Sequence, residues 1–138
     1  MLLVQDGRWN GRRLLPAGFT RRMATGTTAN PYYGLGVYVA GDYTPRRGWA
    51  GPLRTPPAMQ VLHSEPYLAD DLCLFDGNGN QVMYIAPSEQ LVILRTGTGP
   101  ARPQEWDNSV LPNMLMRGIR RAPGETAPAP QARIPTSR

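Results

Sequence analysis

The sequence predicts an α+β fold, in which an antiparallel sheet of about four strands packs against flanking helices. Three consecutive apolar runs, Leu72–Phe75, Val82–Ile85 and Leu91–Leu94, are each followed by turn residues, so they predict a meander of three strands. A further strand is predicted over Tyr33–Ala40, where aliphatic residues alternate with small or aromatic ones. Apolar residues at helical spacing follow the meander and predict a helix that covers the sheet.

The segment ahead of the first strand predicts a helix end, a compact turn and a short helix. Met1–Gln5 is apolar and stops at a turn signal, which suggests the end of a helix. Trp9–Leu15 has Asn10-Gly11 at its tip and apolar residues on each side, which is typical of a tight turn. Pro16 suits the first position of a helix, and that helix is predicted to run through Met23.

A Pro- and Gly-rich excursion, Gly41–Asp71, is predicted to be a long loop, either functional or disordered. It holds Trp49 and the only histidine, His63. A lone histidine without a second ligand at suitable spacing is a poor metal site, so an ordinary surface histidine is the favoured interpretation. A catalytic dyad with Asp70 or Asp71 is left open.

The last helix is predicted to begin after an N-cap at Asp107, Asn108 or Ser109 and to end near Ala122. Its predicted core-facing side consists of residues at helical spacing: Val110, Leu111, Met114, Leu115, Gly118 and Ile119. Residues 123–138 are rich in Pro, Ala and Thr, lack periodicity and are predicted to be disordered. The expected organisation is therefore one domain over residues 1–122 and a tail over 123–138.

Composition narrows the classes of function. The 138 residues are enough for one domain, and no apolar run approaches the length needed to span a bilayer, so no membrane partner is predicted. The net charge of +5 comes from arginines in scattered pairs without any lysine, so no nucleic-acid partner is predicted either. The single cysteine, Cys73, lies between two leucines, which favours a buried structural thiol.

Few residues of the chain could carry out a reaction. The sequence has no Gly-x-Ser-x-Gly, no Ser-x-x-Lys and no phosphate-binding loop. Its four serines are predicted to lie in turns, a helix cap and the tail, with no base fixed nearby in sequence. Metal-ligand spacings are absent as well, so no catalytic residue, metal site or cofactor is predicted.

Four segments carry a resemblance to a known family. Asp6–Phe19 is similar to the pattern DGxWNGxRLLPxGW, and Tyr33–Tyr38 is similar to YGxGxW. Gly77–Pro87 resembles GxGGQxIYVxP, and Leu91–Gly97 resembles LVVVRxG. The order and spacing of all four agree with the C-terminal part of the beta-lactamase-related serine hydrolases. That family includes class C beta-lactamases, penicillin-binding-protein-like esterases and 6-aminohexanoate-dimer hydrolase.

The resemblance implies a partial beta-lactamase/transpeptidase-like fold and, in a full-length parent, hydrolysis of a small ester or amide through an acyl-serine. The family's Ser-x-x-Lys and Tyr-x-Asn-like motifs precede the part that matches, so the chain alone is expected to be catalytically silent. The expected partner is then the missing N-terminal half or a second copy. The alternative is a non-enzymatic interaction or structural module that pairs through an exposed sheet edge. The substrate and the compartment stay open.

The resemblance also points to a candidate substrate-binding strand. The family's third motif, Lys- or His-Thr/Ser-Gly, falls near Phe75-Asp76-Gly77, where only the glycine matches. A main-chain N–H there would stabilise negative charge on a substrate carbonyl. The candidate substrate-binding residues are Asp76, Gly77, Asn78 and Gly79. A tight hairpin that needs positive φ is the favoured explanation of Asn78, Gly79 and Asn80, whereas the two explanations are nearly even for Gly77.

Overall fold

The computed structural model describes residues 2–48, 60–101 and 104–120. The predicted disordered tail and Trp49 lie outside these residues. The elements in chain order are β1 (Arg8–Trp9), β2 (Arg12–Arg13), α1 (Phe19–Met23), β3 (Tyr38–Val39), β4 (Arg46–Arg47), β5 (Val61–Leu62), β6 (Cys73–Gly77), β7 (Gln81–Ala86), β8 (Leu91–Arg95) and α2 (Val110–Arg120). Within the described ranges, no helix is long and apolar enough to cross a membrane.

The predicted α+β fold and its meander are confirmed. β3, β6, β7 and β8 form one antiparallel sheet in that order. Each meander strand reaches slightly beyond its apolar run, since β6 continues to Gly77, β7 begins at Gln81 and β8 ends at Arg95. Polar residues at a strand end keep the extended backbone because the neighbouring strand supplies their hydrogen bonds.

The buried apolar residues on the two faces of the sheet belong to two separate core clusters. One face carries Leu74, Val82 and Tyr84, which pack with Met116 of α2. The other carries Cys73 and Ile85, which pack with Val37 and Val39 and with the partly buried N-terminal residues Leu3, Val4 and Met23. Burial raises the pKa of the Cys73 thiol to about 11, as expected for a structural thiol.

The N-terminal region differs from the prediction in part. The tight turn at Asn10-Gly11 is confirmed, since both residues have positive φ and join the paired strands β1 and β2. Residues 2–7 form turns, so the predicted helix end is wrong. α1 begins at Phe19 and not at Pro16, because Gly18 immediately before it is left-handed with φ of 75°.

The predicted strand over Tyr33–Ala40 is mostly a turn. Only Tyr38–Val39 is strand, and Gly36, with φ of 79°, reverses the chain so that Tyr33 bridges to Tyr38. The Leu35 N–H donates to Met23 O (2.9 Å), and the Leu35 side chain is exposed and does not face the core. The backbone conformation here depends on the ability of Gly36 to adopt positive φ, which the alternation of neighbouring residues does not reveal.

The described parts of the excursion, residues 41–48 and 60–71, contain strand pairing that the loop prediction did not include. β4 and β5 pair antiparallel, with Arg46 opposite Leu62 and Arg47 opposite Val61. Arg46 also forms a two-pronged ion pair with Glu105 (2.6 and 2.8 Å). Leu62 also bridges to Asp107 and accepts from Asn108 N (3.0 Å), which brings the end of β5 to the start of α2.

α2 presents an unexpected side to the core. Pro112, Asn113 and Met116 are buried. Of the predicted core-facing side, only Leu111 packs against the core. The prediction is therefore wrong for the rest of that side, which is exposed to solvent: Val110, Met114, Leu115, Gly118 and Ile119.

Polar contacts fix this orientation of α2. The Asn113 side chain accepts from Leu68 N (2.9 Å) and donates to Pro66 O (2.8 Å). Asp107 accepts from the N–H and the hydroxyl of Ser109, which precedes the first helical residue. These bonds tie the loop after β5 to the first turns of the helix.

Candidate functional site

The end of β6 lies open on the side of β3. Leu72 O accepts from Ala40 N (2.9 Å), so the backbone groups of Leu72, Leu74 and Asp76 all point toward β3. β3, however, starts at Tyr38, which is opposite Leu74. Hence no described strand lies opposite the main-chain N–H and C=O of Asp76, and this is where a ligand could approach strand backbone.

The Asp76 side chain is half-buried on the sheet face that α2 covers. Asn108 Nδ2 donates to its Oδ2 (3.0 Å). Among the described residues, no donor reaches Oδ1, and no arginine forms an ion pair with this carboxylate. Burial raises the pKa of Asp76, and the Asn108 bond opposes that rise.

Asn108 organises the surroundings of Asp76. Its Oδ1 accepts from Tyr84 Oη (3.2 Å) and from Trp106 Nε1 (2.6 Å), while its amide holds the carboxylate. The side chain of Asn108 is itself buried. Tyr38, beside Asp76 on the same face, has its pKa raised by burial and by the negative charge of Asp76.

The glycine-rich turn that follows is a tight hairpin connection. Gly79 and Asn80 have φ of 72° and 62°, whereas Asn78 does not adopt positive φ. Arg95 closes the turn by donating to Asn80 O and Thr98 O. The predicted residues Gly77, Asn78 and Gly79 are exposed at the tip. Turn geometry thus accounts for Gly79 and Asn80, Gly77 pairs with Gln81 of β7, and only Asp76 remains at the open strand edge.

His63 is not part of a dyad with Asp70 or Asp71. Its Nδ1 lies 3.1 Å from Val61 O and therefore donates, so Nε2 accepts from Tyr67 Oη (3.1 Å). Asp71 instead accepts from the N–H and the hydroxyl of Ser88 (2.8 and 2.7 Å). The prediction of a surface histidine is also wrong, since His63 is only 4% exposed.

A buried cationic side chain lies close to His63. Arg47 sits over the rings of Tyr32 and Tyr67, at 4.6 and 5.5 Å from their centroids, and donates to Ala40 O, Val39 O and Asp42 O. Its Nε has no partner in the described part of the chain. Burial, together with the charge of Arg47, lowers the pKa of His63 to about 4. These contacts tie the ends of β3 and β4 together.

Three apolar surfaces are left uncovered by the described residues. One is the outer side of α2, and the second is the free edge of β8, the last strand in the sheet order, whose Leu94 is 64% exposed. The third is an open groove of about 640 Å³ on the opposite face of the sheet. It is lined by Leu2, Leu3, Trp9, Leu14, Leu15, Met23 and Phe75.

Sequence reasoning identified Asp76 but missed the residues that surround it. Asn108 was predicted only as a possible helix cap, Tyr84 and Arg95 entered only as part of the segments that resemble the family, and Trp106 carried no signal. In the described residues, no group of three His, Cys, Asp or Glu side chains could hold a metal ion. Searches among family models, curated proteins and solved structures found no match to this chain.

Proposed function

We propose that this chain is the C-terminal region of a beta-lactamase-like serine hydrolase domain, which supplies one wall of the substrate cleft and carries no complete catalytic centre of its own. The parent reaction is hydrolysis of a small ester or amide through an acyl-serine. The proposal starts from the four sequence segments that resemble the family. The remaining support comes from surfaces that the fold leaves incomplete.

The observation that carries the proposal is that the described residues leave both the apolar outer side of α2 and the free edge of β8 uncovered. Leu111 of α2 and Leu91 and Ile93 of β8 pack against the same core cluster. A surface helix normally turns its apolar side inward, whereas Met114 and Ile119 are 56% and 50% exposed. Further polypeptide that adds a strand to β8 and a helix against α2 would cover both.

The open end of β6 agrees with the role of a cleft wall. The main-chain N–H of Asp76 points to the side where no described strand follows, which is the kind of donor that stabilises a developing oxyanion. The described residues offer no activated nucleophile nearby, and Ser88 is engaged by Asp71. The serine, lysine and tyrosine of the reaction would come from the part of the family that this chain does not match.

A second candidate is an interaction module that pairs through β8. The strand sequence Leu-Val-Ile-Leu-Arg has no proline and a single charge, so its edge lacks the usual protection against pairing with another chain. In this case the new strand would come from a second copy or another protein.

The test begins with the coding DNA upstream of Met1, which is read for an in-frame Ser-x-x-Lys followed by a Tyr-x-Asn-like motif. The joined polypeptide and the 138-residue chain are then assayed with nitrocefin and p-nitrophenyl esters. The control is the joined polypeptide with alanine in place of the serine of Ser-x-x-Lys. We expect turnover by the joined polypeptide only.

Two results would count against the hydrolase proposal: turnover by the 138-residue chain itself, or no upstream motif together with a sharp thermal transition of the chain. Size-exclusion chromatography with light scattering then evaluates the second candidate. A discrete dimer that dissociates when Val92→Lys or Leu94→Lys is introduced at the exposed positions of β8 would favour the interaction module, whereas a stable monomer would exclude self-pairing.

A further inference from the structure

Within the described residues, no positively charged side chain forms an ion pair with the half-buried carboxylate of Asp76. The ion pairs among the described residues join Arg13 to Asp6, Arg46 to Glu105 and Arg117 to Glu65, and none includes Asp76. A carboxylate removed from water without a cation is costly, so a site of this kind favours a positively charged ligand.

Arg95 is on the same face of the sheet but does not fill this role. The strand register places it two strands from Asp76, because Asp76 is opposite Val82 and Val82 is opposite Arg95. Its guanidinium lies over the Trp106 ring, 4.4 Å from the centroid, and its Nη1 and Nη2 donate to carbonyls of the turn and of the segment after β8.

Aromatic rings line the approach to Asp76. Tyr38, opposite Leu74, lies diagonally beside Asp76 on one face of the sheet, and Tyr33 packs edge-on against Tyr38 at 4.8 Å between centroids. Trp106 is linked to Asp76 through Asn108, which accepts from the indole N–H and donates to the carboxylate. Asp76, Tyr33, Tyr38 and Trp106 are all only partly buried, so a small group can approach them from solvent.

We infer that Asp76 and its aromatic neighbours bind the ammonium group of an alkylamine ligand. The ammonium donates to Oδ1, for which no described donor competes, and its alkyl part lies against the rings of Tyr38 and Tyr33. Tyrosine and tryptophan faces attract such cations, and the open Asp76 C=O at the strand edge offers a second acceptor. If the proposed function holds, the substrate of the parent hydrolase carries a cationic amine; this assignment rests on the proposed function.

The experiment is a two-dimensional amide NMR titration of the 138-residue chain with n-butylammonium chloride. n-Butanol is the neutral counterpart, and sodium chloride matches the ionic strength. We expect saturable shifts of the Trp106 indole N–H and of the Asp76 and Gly77 amides, with a dissociation constant on the order of 1–10 mM. n-Butanol should not reproduce them.

Asp76→Asn keeps the shape and the bond from Asn108 while it removes the charge, and it should weaken butylammonium binding by at least about tenfold. Asp70→Asn removes an exposed aspartate elsewhere on the chain and serves as the matched control, which should bind like the unmodified protein. Should Asp76→Asn lose its folded spectrum, Tyr38→Leu replaces it and should weaken binding several-fold.

Equal binding by Asp76→Asn, equal shifts with n-butanol, or the absence of saturable shifts would each overturn the inference. A loss of binding in Asp70→Asn as large as in Asp76→Asn would also overturn it, since a general charge effect would then explain both. Failure here leaves the proposed hydrolase origin intact. Conversely, an upstream region without Ser-x-x-Lys removes the hydrolase proposal but not an observed ammonium site.

Discussion

His63 should make this protein sensitive to mild acid. The ring is buried, donates from Nδ1 to Val61 O and accepts from Tyr67 Oη at Nε2, so its neutral form satisfies both neighbours. Protonation would place a second positive charge near Arg47 and turn the Nε2 acceptor into a donor. Burial first and the charge of Arg47 second lower the pKa of His63 from 6.5 to about 4.

The sign and the size of the effect follow from proton linkage. Because the pKa is lowered in the folded state, the unfolded chain binds more protons between pH 6.5 and 4, and folding loses stability as the pH falls through that window. The loss is about 2 kcal/mol at pH 5 relative to pH 7.5 and approaches about 3 kcal/mol below pH 4. For a chain of this size, 2 kcal/mol corresponds to a fall in Tm of roughly 8 °C.

The assay is urea unfolding followed by circular dichroism at half-unit steps from pH 7.5 to 4.5, for the unmodified protein and for His63→Gln. Glutamine keeps one donor and one acceptor but does not titrate. Its free energy of unfolding should therefore be nearly flat down to pH 5, even if its value at pH 7.5 is lower. The difference between the two curves removes the contribution of carboxylates shared by both proteins.

The reasoning is refuted if the two curves run parallel between pH 7.5 and 5. Such a result would mean that His63 has an ordinary pKa in the folded protein, and hence that the burial and the Tyr67 contact are not present in solution. Tyr67→Phe, which removes the donor to Nε2, should lower the stability at neutral pH by about 1 kcal/mol.

The remaining predictions concern α2 and the hairpin turn, and all are measured by urea unfolding. Asn113→Ala removes both bonds to the loop after β5 and should cost about 2–3 kcal/mol, and Asn113→Asp should cost at least as much because it places a buried carboxylate against Pro66 O. Met116→Ala should cost about 2–5 kcal/mol, while Met114→Gln on the exposed side should change stability by less than about 0.5 kcal/mol. Asn80→Ala at positive φ should cost about 1 kcal/mol, and Asn80→Gly should be close to neutral.

Local signals predicted the meander well because each of its strands is set by residues close in sequence. Apolar runs at β6, β7 and β8 are separated by turns whose chemistry is visible in the sequence, and antiparallel neighbours need no distant partner to define their register. At Tyr33–Ala40 the local pattern predicted a strand where the chain turns. Gly36 can adopt positive φ, and nothing in the alternation of its neighbours indicates that it does.

The candidate site could be predicted only in part. Asp76 and Gly77 were identified through a resemblance, but the contact between Asp76 and Asn108 joins positions 32 residues apart and follows no period. His63 differs, since its hydrogen-bond partners Val61 and Tyr67 are close in sequence, but the charge of Arg47 comes near it only through the pairing of β4 with β5. Long-range hydrogen bonds between single polar residues depend on the packed fold, so sequence patterns do not report them.

The orientation of α2 shows how such bonds overrule an apolar pattern. Rotating the helix to bury Met114 and Ile119 would withdraw Asn113 from Leu68 N and Pro66 O, and each buried polar group left unpaired costs about 1–3 kcal/mol. The rotation would also expose Met116, which fills the centre of the core. The intramolecular contacts therefore hold the apolar side outward, where burial of each large side chain is worth about 1.5–3 kcal/mol to any layer that covers it. The further polypeptide that the proposed function expects would remove this apolar surface from water and leave the hydrogen bonds of Asn113 intact.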